Sequence, residues 1–231
     1  MSKPRTVAIP TSLGATGDLF AGMEALRPAR AALGENAVLL RAFAIAEAAA
    51  LLSALHAISD AAPFRQMVTP GGQTMSVALT NCGAAGWVSD RRGYRYQALD
   101  PATGKPWPAM PSAFSMLATR AAAEAGFAGF TPDACLINRY APGTRLSLHQ
   151  DRNERDFSQP IVSVSLGLPA TFLFGGATRS DRPTRFRLEH GDVAVWGGAS
   201  RLAFHGIAPL AAGEHPLTGA CRINLTFRHA L

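Results

Sequence analysis

The sequence predicts an α+β fold that is mainly β: a double-stranded β-helix (jelly roll) with two supporting helices and a lid on its N-terminal side. Three observations carry this prediction. From Ala134 onward, turn residues recur at short intervals between eight strand-like segments, the strand count of a double-sheet jelly roll. Upstream, two segments place apolar residues at helical spacing. Between the two lies a Gly/Pro-punctuated stretch of short alternating pieces.

The elements follow in order. Residues 1–35 are rich in Ala, Gly and Pro without a clear period, and read as an irregular arm with room for one short helix. The remainder, 36–231, reads as one domain. Ala37–Phe43 reads as a strand, followed by a helix over Ile45–Ser59 whose Leu51, Leu52, Leu55 and Ile58 share a face. The lid is expected at about 70–110 and contains a strand-like piece, Met75–Thr80. A second helix starts at Ser112, after Pro111, and stops at Gly126, with Phe114, Leu117 and Ala121 inward. The jelly-roll core, about 134–229, takes Cys135–Tyr140, Arg145–Asp151, Ile161–Leu166, Thr171–Phe174, Thr184–Glu189, Asp192–Trp196, Ala203–Ile207 and Cys221–His229 as strands.

Composition bounds the function. A 231-residue chain with 48% hydrophobic and 16% charged residues buries a substantial core as one domain. Its three cysteines, Cys82, Cys135 and Cys221, are odd in number and widely spaced, which fits neither a disulfide framework nor a zinc knuckle and fits a reducing cytoplasm. No apolar run is long enough to span a membrane, and the first thirty residues carry no leader-like apolar segment, so a soluble, unprocessed protein is expected. A net charge of +6 favours polyanionic partners.

The chemistry concentrates in the C-terminal half. On a strand, His149 and Asp151 project to the same side, and His205 supplies a third ligand from another strand. Two imidazoles and one carboxylate leave the opposite metal positions open, as in non-haem Fe(II) oxygenases. The same donors also suit zinc, so zinc hydrolysis is the chemical rival, although no Glu base is placed as on a zinc-protease helix. His190, in a His-Gly-Asp turn, is the rival to His205; His56, His215 and His229 read as structural. In the closing segment Arg222, Asn224, Thr226 and Arg228 alternate with Ile223, Leu225 and Phe227, giving one polar, cationic face. Two arginines on one face suit a dicarboxylate, because guanidinium forks match carboxylates. 2-Oxoglutarate fits, chelating iron at one end and clamped at the other. Asn138 and Tyr140 share a face of the preceding strand and add hydrogen bonds to the anchored ligand.

Upstream, Gly86-Trp-Val-Ser-Asp-Arg-Arg-Gly-Tyr-Arg-Tyr96 interleaves aromatics with Arg91, Arg92 and Arg95. Such a segment stacks on bases and meets phosphates as a nucleotide-recognition lid. From this segment alone, an ordinary hairpin with solvated arginines and one cross-strand aromatic cluster is the weightier reading.

These residues carry a resemblance. From about Phe64 to Arg228 the chain resembles the bacterial AlkB family of Fe(II)- and 2-oxoglutarate-dependent DNA repair dioxygenases. The segments that carry it are Pro63-Phe-Arg-Gln-Met-Val-Thr-Pro-Gly-Gly72, Leu136-Ile-Asn-Arg-Tyr-Ala-Pro-Gly143, Leu146-Ser-Leu-His-Gln-Asp151, Ile161-Val-Ser-Val-Ser-Leu-Gly-Leu-Pro169, Glu189-His-Gly-Asp192 and the closing Arg-x-Asn-x-Thr-x-Arg. The resemblance implies Fe(II) on His149, Asp151 and His205, which are then the catalytic centre, with O2 as the second co-substrate. It implies 2-oxoglutarate held by Asn138, Tyr140, Arg222, Asn224 and Arg228. It implies contact with the damaged nucleotide by Trp87, Tyr94, Tyr96 and Arg179, with His149 stacking on the base.

The implied reaction is oxidative demethylation of N-alkylated bases such as 1-methyladenine and 3-methylcytosine, releasing formaldehyde and succinate. The implied partner is alkylated DNA, preferentially single-stranded because no pairing energy is then spent on flipping the base. RNA is the nearer alternative substrate, and a monomer is expected. One position departs from the pattern: the family carries Asp two residues after the metal Asp, and this chain has Asn153. Asn153 is retained as a substrate-contacting residue, with lesion preference open. The reading from a different class is a non-catalytic β-barrel that binds nucleic acid through its basic surface.

Overall fold

The computed structural model describes residues 29–231. The expected arm lies mostly outside these residues, as does its short helix. Its last part is not irregular, however: Arg30–Gly34 is a strand, β1, paired antiparallel with β2, Ala37–Leu40, through a turn in which Asn36 takes φ 53°. Nothing local in this Ala-rich piece marks a strand, and its hydrogen bonds come from β2. That strand is also shorter than the expected Ala37–Phe43. Asp192 captures Arg41 Nη1 at 2.7 Å and the Ala42 amide at 2.9 Å, and Ala42 turns to φ 54°.

Helix α1, Ala48–Ala61, starts three residues after the expected start, and α2, Ser112–Glu124, starts at the expected residue. Between them come β3 (Arg65–Val68), β4 (Thr74–Gly83), β5 (Gly86–Asp90) and β6 (Gly93–Gln97). Only β5 and β6 stand apart as a hairpin; β3 and β4 join the main sheet, so the separate lid is narrower than 70–110.

The eight jelly-roll strands are β7 (Ala134–Tyr140), β8 (Leu146–His149), β9 (Ile161–Gly167), β10 (Ala170–Phe174), β11 (Thr184–Leu188), β12 (Val193–Trp196), β13 (His205–Ile207) and β14 (Arg222–Arg228). They divide four and four. The large sheet has the order β1-β2-β12-β9-β14-β7-β4-β3, and the small sheet the order β11-β10-β13-β8, with antiparallel pairing throughout.

Period-two patterning decides which face of the large sheet meets which layer. Ile223, Leu225 and Phe227 of β14, with Val162 and Val164 of β9 and Ile137 of β7, pack against Leu51 and Leu55 of α1 and Phe114, Leu117 and Ala121 of α2. Phe114 and Phe227 meet edge to face, with ring centroids 5.8 Å apart. Each such fully buried side chain contributes about 1.5–3 kcal/mol. With one face of the large sheet sealed by helices, the alternate residues of β14 are forced toward the small sheet. That inner space holds the site.

Candidate metal centre and co-substrate cavity

His149 closes β8 and His205 opens β13, and the two strands pair so that these residues lie directly opposite each other. Their rings are 4.4 Å apart between centroids. The approach is close because Gly206 carries no side chain: a Cβ there would meet the Leu146 carbonyl oxygen at 2.6 Å. Asp151 lies two residues beyond the end of β8, so strand alternation alone does not place it, contrary to the expected strand over Arg145–Asp151. Tertiary contacts do. Arg201 Nη1 donates to its carbonyl at 2.8 Å, and Arg228 donates to its carboxylate. His149 Nε2 is then 3.6 Å from Asp151 Oδ1, and His205 Nε2 is 3.7 Å from Oδ2.

The donor set fits a divalent metal. One ligand atom from each of the three residues lies within 4.8 Å of the others, and this is the His/Asp/Glu/Cys cluster found among the described residues. His149 Nδ1 is 2.9 Å from the Ser147 carbonyl, and His205 Nδ1 is 2.9 Å from the Ala203 carbonyl. A carbonyl only accepts, so each Nδ1 carries the proton and each Nε2 presents its lone pair inward. Burial, and then the neighbouring His205, pushes the His149 imidazole down to about 4, so it is neutral and ready to ligate. Burial alone would raise the Asp151 carboxyl, but Arg228 and the two histidines hold it well below the usual carboxylate range. His190 is not part of this group. Its Nδ1 accepts the Gly167 amide at 2.9 Å, and its ring packs on His215, which settles the choice of third histidine for His205.

The polar face of β14 lines the same cavity, of about 670 Å³. Arg222 is 1% exposed. Its Nη2 donates to Ser165 Oγ at 2.9 Å and its guanidinium lies over the Tyr140 ring, while Nε and Nη1 have no partner. Among the described residues no carboxylate pairs with it. A buried, unneutralised guanidinium costs several kcal/mol unless an anion completes it, and the idle Nε and Nη1 leave hydrogen-bonding capacity for an anionic ligand. Arg228 also has an idle Nη1.

Asn224 behaves differently. Its Nδ2 donates to Ser163 Oγ and the Val164 carbonyl at 2.8 and 3.1 Å, and its Oδ1 accepts from Thr226 Oγ1 at 2.9 Å and from Asn138 Nδ2 at 3.4 Å. That amide braces the wall. Ser163 and Ser165 were not singled out from the sequence, although their alternation within Ile161-Val-Ser-Val-Ser was a readable signal.

At the mouth, Trp87 stacks on Tyr94 at 5.4 Å and 14°, and its indole Nε1 donates to Asn153 Oδ1 at 3.0 Å. Trp87, Tyr94, Asn153 and Arg179 all line the cavity. Tyr96 does not. Its hydroxyl donates to Glu154 Oε1 at 2.7 Å, and Glu154 in turn meets Arg201 at 3.1 Å and Arg228 at 3.3 Å. Of the thirteen residues assigned from the sequence, Tyr96 is the one the fold keeps off the cavity wall. Besides the two serines, sequence reasoning missed the buried charged residues Glu154 and Arg201, since nothing local distinguishes them from surface charges.

Comparison with known proteins agrees with this geometry. The family model of the 2OG-Fe(II) oxygenase superfamily matches residues 36–228. The alpha-ketoglutarate-dependent dioxygenase AlkB of Escherichia coli (strain K12) is 60% identical over 213 residues, 92% of this chain and 97% of that protein. The AlkB homolog of Caulobacter vibrioides (strain NA1000 / CB15N) is 46% identical over 182 residues, 78% of this chain and 81% of that protein. The solved structure of OsALKBH1 superposes with a TM-score of 0.76 at 29% identity, covering 86% of this chain and 99% of that one.

Proposed function

The chain belongs to the 2OG-Fe(II) oxygenase superfamily, and from that premise we propose that it reverses DNA alkylation damage by oxidative demethylation of N-alkylated bases such as 1-methyladenine and 3-methylcytosine. It is an Fe(II)- and 2-oxoglutarate-dependent dioxygenase, which removes zinc hydrolysis and the non-catalytic barrel from consideration. The observation that carries the site assignment is the pair of idle Arg222 donors in the same cavity as the three inward metal-ligand atoms.

His149, Asp151 and His205 hold the iron. Arg222 receives the distal carboxylate of 2-oxoglutarate, with Tyr140 against its guanidinium and Asn138, Asn224 and Ser165 fixing the wall around it. Arg228 neutralises Asp151 and keeps one donor for the ligand's other end. Iron held by these residues, with 2-oxoglutarate and O2, would supply the oxidant for hydroxylating the N-linked methyl group, 2-oxoglutarate leaving as succinate and CO2 and the hydroxylated methyl group as formaldehyde. The protein's own residues orient and dry the reacting base. His149 and the stacked pair Trp87 and Tyr94 line the same cavity and offer aromatic rings to a base there. Arg179, which lines the same cavity, is assigned to the damaged nucleotide.

A single-stranded substrate spends no energy on unpairing, and the protein acts as a monomer in the cytoplasm, in keeping with its three free cysteines. No helix among the described residues is long and apolar enough to cross a membrane.

The test is mass spectrometry of single-stranded DNA carrying one 1-methyladenine, incubated with protein, Fe(II), ascorbate and O2, with and without 2-oxoglutarate, and with His149→Ala. Loss of one methylene mass in the complete reaction alone is expected. No loss with iron confirmed bound, for this lesion, for 3-methylcytosine and for the neutral lesions 1-methylguanine and 3-methylthymine, overturns the DNA-repair reading. A matched RNA oligonucleotide in the same assay decides between the two nucleic acids.

A further inference from the structure

We infer that Asn153 shifts lesion preference toward neutral N-alkylated bases that carry a carbonyl oxygen beside the alkylated nitrogen, the 1-methylguanine and 3-methylthymine class. The inference rests on the demethylase reading and sharpens it.

Two independent observations carry it. The first is the orientation of one amide. An indole N–H can only donate, so the atom of Asn153 that meets Trp87 Nε1 at 3.0 Å is the carbonyl oxygen Oδ1. The contact thereby fixes which end of the amide is free. Nδ2 has no partner among the described residues, and Asn153 lines the cavity beside His149 and Asp151. What a base edge meets at this position is therefore a neutral N–H donor. Guanine O6 and thymine O4 accept from such a donor, whereas the exocyclic amino groups of adenine and cytosine are donors themselves.

The second observation is the charge of the wall. The cavity is lined by five arginines, Arg145, Arg152, Arg179, Arg222 and Arg228, against one carboxylate, Asp151. That carboxylate is occupied by Arg228. Glu154 lies off the wall and is committed to Tyr96, Arg201 and Arg228. 1-Methyladenine and 3-methylcytosine are cations at neutral pH, because alkylation of the ring nitrogen leaves a positive charge that must be desolvated on entry. The cavity offers that charge no free anion. 1-Methylguanine and 3-methylthymine enter neutral. Hydrogen-bond polarity and electrostatics thus favour the same class of base.

The experiment compares the wild-type protein, Asn153→Asp and Asn153→Ala on four single-stranded oligonucleotides of one sequence, each carrying one of the four lesions. Demethylation is followed by product mass to give kcat/KM. Binding is measured by fluorescence anisotropy of the Fe(II)- and 2-oxoglutarate-loaded protein without O2. Taking ratios within each protein cancels any general loss of folding or activity. The neutral-to-cationic ratio is expected to be at least about tenfold higher in the wild type than in Asn153→Asp, in both turnover and binding, equivalent to about 1.4 kcal/mol. Asn153→Ala is expected to lose several-fold on the neutral lesions alone. A ratio that stays within twofold across all three proteins, with demethylation intact, overturns the role of Asn153 and leaves the demethylase reading standing. If no protein removes a methyl group from any of the four oligonucleotides while iron and 2-oxoglutarate are bound, both fall together.

Discussion

Arg228 and Asp151 are joined through a single carboxylate oxygen, with Arg228 Nη2 and Nε donating to Asp151 Oδ2 at 2.6 and 3.1 Å. A residue expected to hold co-substrate is thus also the counter-ion of a metal ligand. The pair is buried, the two side chains being 6% and 10% exposed. Replacing Arg228 with Met leaves a buried carboxylate uncompensated, and the metal-free protein should lose about 3–5 kcal/mol of stability. Fe(II) should restore part of it by supplying the missing positive charge. Thermal unfolding with and without Fe(II) under anaerobic conditions checks both parts.

Arg222 presents the opposite case, because no protein anion compensates it. Arg222→Met is expected to leave the metal-free fold about as stable as before, within about 1 kcal/mol, since the lost Ser165 contact is offset by relief of a desolvated charge. The same change removes two charge-assisted donors to the ligand, each worth about 1.5–3 kcal/mol, so 2-oxoglutarate affinity should fall by roughly 100-fold or more. Anaerobic titration of the iron-loaded protein with 2-oxoglutarate measures it.

The His149 imidazole sits at about 4 in the fold, against about 6.5 in an unfolded chain. Between those values the unfolded state holds a proton that the folded state does not. The metal-free protein should therefore lose stability as pH falls from about 6.5 toward 4, with no such contribution above that window. His149→Gln should flatten this part of the curve. Asp151, held low, adds its own loss only at lower pH, below the ordinary carboxylate range. Melting temperatures of both proteins across pH 4.5–7.5, in chelator, test the sign.

Tyr96 ties the β5–β6 hairpin to Glu154 and so to Arg228 and Arg201. Burial, the largest influence on it, keeps its hydroxyl protonated well above the ordinary tyrosine range. Tyr96→Phe should release the hairpin while leaving Glu154 held by both arginines. Iron and 2-oxoglutarate affinities should stay unchanged, amides of Trp87–Gln97 should exchange faster, and oligonucleotide KM should rise about fivefold, the effect of about 1 kcal/mol. Hydrogen exchange with steady-state kinetics separates this from direct base contact, which would move KM without touching lid exchange.

The sequence by itself determined the eight jelly-roll strands, the two backing helices and the alternation that turns Arg222, Asn224, Thr226 and Arg228 away from the helices. These are local patterns: side chains on one face of a strand or helix share a fate whatever the rest of the chain does. It also determined the donor types of the metal site. What only the tertiary structure decided are the relations between elements. Register across β8 and β13 set His149 opposite His205, and the Arg201 and Arg228 contacts drew Asp151 inward from beyond its strand. Partner geometry sorted the polar residues, leaving Arg222 with idle donors, consuming the Asn224 amide in the wall and drawing Tyr96 off the cavity to Glu154. The orientation of the Asn153 amide belongs with these, since it depends on an indole 66 positions away in the chain. The physical reason is common to all of them: a side chain's charge and hydrogen-bonding capacity are written in its identity, but what remains free for a ligand is what the packed neighbours leave unspent.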